Sequence, residues 1–367
     1  MPERVLLVDY PHPDGEARAA ALRTMGCELL VFNLMENRLW PGAGPAKAAS
    51  ARLLRTLRPL YALAGALDRY KLNTDLLAAA REFRPDIVLV VKGDRFSAGT
   101  YSELRKIGRP LMINWYPDSV TAADKRDFVA AHRKIFDHFF LVDELEALPE
   151  DVRARIAAGS PGIHTLPLAA NTDHFRPLAL EAERKRALEG AVSFVGAVNP
   201  ARKAVLASLE GPALRIWAPL ESPWGKWLDE GSPLGRCYQG GGVFGRELVE
   251  VYGGSAILLD VHFLFPEVER IVNVTTRVYE VPAAGGFVLT NASAQLPKLF
   301  EPGVEIVCYD SVEDLKDKVN YYLSHPGERA GIARLARQRV LRDHTYANRL
   351  SVMAETAGFA RRPGGNR

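Results

Sequence analysis

Short apolar runs alternate along the chain with longer segments whose apolar positions recur at the helical period. Residues 5–9 predict a buried strand and residues 16–25 a helix. Further strands are expected at 28–32, 87–91, 111–114, 139–142 and 163–166. Continuous apolar runs joined by helices imply a parallel sheet covered on both faces. The character changes over 167–190, which holds Pro167, Pro177 and a charged run at 181–186, as expected of a connection that is partly helical. The pattern then restarts. Strands are predicted at 192–195, 214–217, 256–259, 287–290 and 305–308, with helices at 202–209, 246–252, 276–284, 312–323, 326–342 and 346–357. Two successive doubly wound α/β units explain this order. In such sheets ligands bind beyond the carboxyl ends of the strands, so the residues just after each strand are the ones to inspect.

The segment 47–71 departs from the pattern. Leu53, Leu57, Leu60, Ala64 and Leu67 share one helical face, and Arg52, Arg55, Arg58 and Arg69 fall on the other. Pro59 is expected to break or kink the helix. A packed helix pair with a solvated basic face is the favoured reading. Contact with an anionic membrane is the alternative.

A chain of 367 residues accommodates two domains. Its 47% hydrophobic and 25% charged residues are those of an ordinary globular protein, and a net charge of +3 gives no reason to expect nucleic acid as a partner. Cys27, Cys237 and Cys308 are widely spaced and odd in number, which disfavours both a zinc site and a disulfide framework. The N-terminal apolar run is too short for a signal segment, and no run is long enough to span a membrane. The protein is therefore expected to be cytoplasmic.

The strongest local signal is Arg277-Val-Tyr-Glu280-Val-Pro-Ala-Ala-Gly285-Gly286, a helix with an internal acid that ends at a glycine pair before a strand. Glu280 can accept hydrogen bonds from the paired hydroxyls of a ribose. Arg277, on the same helical face, can meet a diphosphate. An ordinary surface Arg–Glu pair is the bland alternative. Next comes Phe194-Val-Gly196, running through a loop into Arg202 and Lys203. There glycine and a helix start offer a phosphate backbone N–H groups and positive charge, although a plain strand–turn–helix corner fits as well. Neither a P-loop nor a dinucleotide fingerprint is present. Asp260 and His262 end a strand and are expected to line a cleft rather than to hold a metal. In the first half, Asp118, Asp94 and His12 follow strands. Either aspartate can act as a general base if suitably buried, and His12 can touch a sugar. Each is equally well a turn or cap residue. Hydrolase elbows and zinc-protease motifs are absent.

Residues 163–350 resemble the CgeB-like (spore maturation protein) branch of the GT-B glycosyltransferases. The resemblance rests on Phe194-Val-Gly196 with Arg202, the Arg277-x-Tyr-Glu280 block through Gly285-Gly286-Phe-x-Leu-Thr, the Leu299-Phe-Glu-Pro-Gly303-x-Glu305 turn, and Tyr321-Tyr-Leu-x-His-Pro326 with Arg329. The closing His344-Thr-Tyr-x-x-Arg349 and the linker Leu166-Pro-Leu-Ala-Ala-Asn-Thr-Asp173-x-Phe175-x-Pro177 belong to it as well. The first half matches more loosely, through strand order and Trp115-x-x-Asp118.

The resemblance implies two Rossmann-like domains, 1–170 for the acceptor and 191–344 for a nucleotide-sugar donor. They would be joined by 171–190 and face a cleft. A helix over 345–360 would cross back to the N-terminal domain, and a tail at 361–367 is expected to be disordered. Glu280 matches the second glutamate of the related Glu-x7-Glu motif, which holds the ribose. The first should fall at Val272 and is missing, with Asn273 as a partial replacement. The implied activity is transfer of a sugar from a nucleotide diphosphate to an unidentified carbohydrate, lipid or protein acceptor, with no cofactor and no metal. A non-catalytic binding protein and a nucleotide-sugar epimerase are the alternatives.

Overall fold

The run Val5, Leu6, Leu7 and Val8 is wholly buried and pairs in parallel on both sides, as a strand apolar on both faces must. The computed structural model describes residues 2–10, 12–36, 51–157, 162–211, 213–222, 225–228, 231–262 and 271–359, and of 51–62, 221, 222 and 225 the backbone alone. The chain divides into two units, Met1–Leu166 with Leu350–Arg367, and Pro167–Arg349.

The first unit is built from β1 (Arg4–Asp9), α1 (Pro13–Thr24), β2 (Glu28–Asn33), α2 (Ala51–Phe83), β3 (Ile87–Val91), α3 (Ala98–Lys106), β4 (Leu111–Tyr116), α4 (Ala123–His132), β5 (His138–Leu141), α5 (Glu150–Ala157) and β6 (Ile163–Thr165). Its strands form a six-stranded sheet in the order β2-β1-β3-β4-β5-β6. Every pairing in it is parallel. All six predicted strands are present. Strand order reverses between β1 and β3, so the crevice beyond the ends of these two strands is this unit's natural ligand position.

Helix α2 differs from the expected pair of helices: it runs through Pro59 as one element. Among its described side chains the buried ones are Asp68, Leu72, Leu76 and Ala80, whereas Leu67, assigned to the packed face, is 48% exposed. The packed face is the one aligned with the sheet, which helical periodicity does not locate by itself. Residues 47–50 and the tail at 361–367 lie outside the described residues.

The second unit contains α6 (Ala182–Leu188), β7 (Val192–Val195), α7 (Pro200–Ser208), β8 (Leu214–Trp217), β9 (Glu221–Ser222), β10 (Gly225–Lys226), β11 (Tyr238–Gly240), α8 (Gly245–Gly254) and β12 (Ile257–Asp260). After these come α9 (Arg277–Ala283), β13 (Val288–Asn291), α10 (Leu296–Leu299), β14 (Val307–Tyr309), α11 (Val312–Ser324), α12 (Pro326–Asp343) and the start of α13 (Tyr346–Ala357). Its six-stranded sheet has the order β11-β8-β7-β12-β13-β14 and is again parallel throughout. Side chains alternate between two cores. Phe194, Ile257 and Leu259 pack into one, and Val195, Leu258 and Val288 into the other. The edge strand β11 and the short β9–β10 pair were not foreseen, because so few residues carry no readable period.

The ending of this unit has a plain structural role. The Arg349 guanidinium donates to the carbonyls of Pro167, Leu168 and Asp343 and to His344 Nδ1 at 2.9–3.1 Å. It ties the connecting segment to the start of α13. From Leu350 onward the chain groups with the first unit. Among the described residues no helix is long and apolar enough to cross a membrane.

Candidate functional site

In the second sheet the strand order reverses between β7 and β12, and Gly196, Arg202, Asp260 and Arg277 gather at the carboxyl ends of these two strands. Strand β7 runs into Gly196, whose φ of +144° lies where side chains are rarely tolerated. Helix α7 follows, opened by Pro200 and capped by Asn199, whose Oδ1 accepts from the Arg202 N–H at 2.8 Å.

Arg202 is buried rather than displayed. Its Nε and Nη1 donate to the carbonyls of Val261 and Ala197, both at 2.8 Å, so it ties the loop after β7 to the loop after β12. Burial and the neighbouring Arg277 charge push its pKa down to about 9, against the pull of Asp260. Arg202, expected to add positive charge at this loop, is thus placed behind the surface, with its guanidinium on backbone carbonyls.

Arg277 opens α9 and reaches back across the crevice. Nε and Nη2 donate to the Val195 carbonyl at 3.0 and 2.7 Å, and Nη1 approaches Asp260 Oδ1 at 3.4 Å. The guanidinium lies over Gly196, where an added Cβ would come within 2.4 Å of Nη2. Burial alone would lower the Arg277 pKa, but Tyr252, Asp260 and Glu280 more than offset this and raise it. The arginine stays charged and 16% of its side chain remains open.

Asp260 does not line open space. It is 1% exposed and accepts hydrogen bonds from Thr275 and Thr290 at 2.9 Å, besides holding Arg277. It is the anchor that sets the start of α9. Strand β12 ends at Asp260, and His262 lies in the loop beyond it. His262 Nε2 instead pairs with Asn273 Oδ1 at 2.8 Å, and its N–H donates to Asn291. Asn273 is thus a partner of His262, and Val272 beside it is buried at 2%. Among the described residues no group of three His, Cys, Asp or Glu side chains is placed to hold a metal.

Glu280 lies one turn after Arg277 on α9, is mostly buried, and acts electrostatically on both Arg277 and Tyr252. Gly285 and Gly286 are elsewhere. They precede β13 and so sit at the amino end of the sheet, opposite Gly196. Gly285, at φ +86°, ends α9, and a Cβ on Gly286 would strike the Tyr252 carbonyl at 2.0 Å. Their assignment to nucleotide binding is corrected to capping and close packing.

The first unit gathers Lys92, Asp94 and Asp118 near the carboxyl ends of β3 and β4. Lys92 Nζ lies 3.0 Å from Asp118 and 3.6 Å from Asp94, and Lys125 adds a second ammonium 3.9 Å from Asp118. Burial lowers the Lys92 pKa, yet Asp118 and Asp94 raise it overall. Neither aspartate meets the condition of burial set for a general base: both are about a third exposed and paired with a cation. Lys92 itself adopts φ +65°, a strained conformation for a non-glycine residue. His12 caps α1, accepting from the Asp14 N–H at 3.2 Å, with half its side chain open. Behind Asp118 lies Asp143, fully buried, with Oδ2 accepting from the Val120 N–H at 2.7 Å and Oδ1 without a partner. Burial raises its pKa to about 6, against the bonds from Val120 and Ser119, and the Asp118 charge adds to the rise.

Residues 198–355 match the family model described as glycosyl transferase-like. Over the whole chain, similar solved structures include a sucrose-phosphate synthase from Thermosynechococcus elongatus, with a TM-score of 0.67 and 14% identity over 98% of this chain and 100% of that one. The Anabaena HepE protein, solved with UDP-glucose, gives 0.63 and 12% over 97% and 99%. A glycosyltransferase from Rickettsia africae gives 0.63 and 12% over 98% of both chains.

The fold is GT-B.

Among curated proteins no sequence match is found. The GT-B assignment agrees with the expected fold class, and the family match spans α7 to α13, the part that carries Arg202, Arg277 and Glu280.

Proposed function

We propose that this GT-B chain is a glycosyltransferase whose second unit binds a nucleotide diphosphate sugar at the β7–β12 switch point. The observation that carries the reading is the Arg277 guanidinium, held over Gly196 by Val195 and Asp260 with Glu280 one turn further along the same helix. The family match over 198–355 supports it, as does a fold shared with HepE, a protein solved with UDP-glucose.

In this reading Arg277 contacts the diphosphate, Glu280 accepts from the ribose hydroxyls, and Arg202 contributes positive field from beneath the loop. The bond between the anomeric carbon and the diphosphate oxygen breaks with its electron pair leaving on the diphosphate. That developing charge needs stabilisation, and two preorganised guanidiniums supply it without a metal. The acceptor oxygen takes the anomeric carbon and gives up its proton. Asp118 serves as the base only if the acceptor displaces Lys92 from it.

Calorimetry with UDP, TDP and GDP tests the donor site. Arg277→Ala and Glu280→Ala should each lower affinity about tenfold or more, the loss of a charge-assisted contact. Unchanged affinity in both variants sinks the assignment. A panel of the corresponding nucleotide sugars separates the readings further: slow hydrolysis of a donor fits a transferase, and isomerisation of its sugar an epimerase. Absence of any binding fits the non-catalytic protein favoured by Val272, where the related motif has its first glutamate.

A further inference from the structure

The loop that leads from β11 into α8 carries a residue that neither packs nor caps. Phe244 is 79% exposed, more than any other large apolar side chain among the described residues. It stands at the N-cap of α8, and its side chain makes no cap hydrogen bond. Serine, asparagine or aspartate is preferred at such a position, because a side-chain oxygen accepts from a free N–H of the first turn. Phenylalanine therefore stabilises the fold neither by burial nor by capping. A residue that breaks a local rule with no gain in stability is expected at a functional site.

The surrounding chain anchors the ring and leaves it open. Val243 is buried in the core that also holds Val195, Trp217 and Val278, so the residue before Phe244 is fixed. Gly242 adjoins the ring edge, where an added Cβ would lie 3.0 Å from Cζ. Gly240, Gly241 and Gly245 place no side chain beside it.

Its position relates it to the donor site. The Gly196 N–H donates to the Trp217 carbonyl at 3.0 Å and the Ala218 N–H to the Gly240 carbonyl at 3.1 Å. The loops after β7, β8 and β11 are thus neighbours at the carboxyl end of the sheet. Helices α8 and α9 both start at that end and pack together, with Val249, Tyr252, Val278 and Val281 in one core. Phe244 immediately precedes the first residue of α8, and Arg277 is the first residue of α9. Packed helix axes stand about 8–10 Å apart, and a ribose bridges a gap of that order between a base and its diphosphate. Glu280 on α9 acts electrostatically on Tyr252 of α8, so the acid assigned to the ribose faces the seam between the two helices.

We propose that Phe244 is the platform on which the nucleobase of the donor stacks. Its flat π-face takes the base while Arg277 holds the diphosphate at the other end of the nucleotide. Stacking of this kind accepts every base, so Phe244 sets how tightly the nucleotide is held rather than which one. The inference rests on the donor-site reading and adds the base to it.

Calorimetric titration of the full chain with UDP, TDP and GDP tests it. Phe244→Ala should weaken binding of whichever nucleotide the parent takes by about tenfold. Phe244→Leu, apolar but without a π-face, should lose nearly as much, whereas Phe244→Tyr should bind as the parent does. In Phe244→Trp the nucleotide should quench indole emission beyond the change seen in the parent. The ring is exposed, so melting temperatures should match the parent's throughout. Parent-like affinity in Phe244→Ala or Phe244→Leu overturns the proposal and leaves the roles of Arg277 and Glu280 standing. Failure of the parent to bind any of the three nucleotides overturns the donor-site reading, and this inference with it.

Discussion

The Arg277 guanidinium occupies the space that any side chain at Gly196 would need, with Nη2 2.4 Å from where its Cβ would stand. The two residues are brought together by one carbonyl, that of Val195, which accepts twice from the arginine. Glycine here makes room for an arginine.

Gly196→Ala should therefore act through Arg277. The new methyl group displaces the guanidinium and adds strain at φ +144°. Nucleotide affinity should fall about tenfold or more, with about 1–3 kcal/mol of stability lost. Calorimetry and urea unfolding measure the two. Full affinity in a folded variant would show that the arginine's position is irrelevant to the ligand.

Asp260→Asn tests the anchor. The carboxylate takes Thr275, Thr290 and Arg277 together, and at 1% exposure it has no water to replace them. The amide can accept on one atom only and removes the carboxylate charge that faces the Arg277 guanidinium. A loss of about 3 kcal/mol is expected in chemical denaturation. A loss under about 1 kcal/mol would mean that α9 is held by packing instead.

Arg349→Ala should cost about 2–4 kcal/mol, because the carbonyls of Pro167, Leu168 and Asp343 and the ring of His344 lose their donor at once. Arg349→Lys should recover little, since one ammonium cannot reproduce the planar fork. Equal stability of the lysine variant and the parent in urea unfolding would contradict this geometry.

Asp143 gives a pH dependence of definite sign. Its folded pKa of about 6 lies above the ordinary carboxylate value of 3.8. The neutral acid is favoured by folding, so this group's contribution is fully present below about pH 4 and is lost as pH rises through about 6. By pH 7 the penalty amounts to about 3 kcal/mol at most. Asp143→Asn should remove that part of the profile and leave the protein as stable as the parent or more so at pH 7. Denaturation midpoints of the two proteins across pH 4–7 that run parallel would refute it.

Much of the fold was legible in the sequence. Every strand of the first sheet and five of the six strands of the second were readable, because a strand buried on both faces needs an unbroken apolar run, and that requirement is local. The helix starts at His12, Asn199 and Ser311 are equally local, each a side chain accepting from a backbone N–H two or three residues ahead. Gly196 and Arg277 stand out for the same reason, at joints between elements, with Glu280 one turn into α9.

What those residues touch was decided only by tertiary structure. Arg277 meets a carbonyl 82 positions away, and Arg202 one 59 away. Lys92 stands between Asp94 and Asp118 because β3 and β4 are neighbours in the sheet, which no spacing along the chain announces. Gly285 and Gly286 lie at the far end from Gly196 because the strands are parallel and the helix runs back between them. Hydrophobic periodicity specifies which residues leave water. The pairing of charges and the closest approaches of backbone arise only when separate segments are pressed together, and the chemistry of the site depends on those.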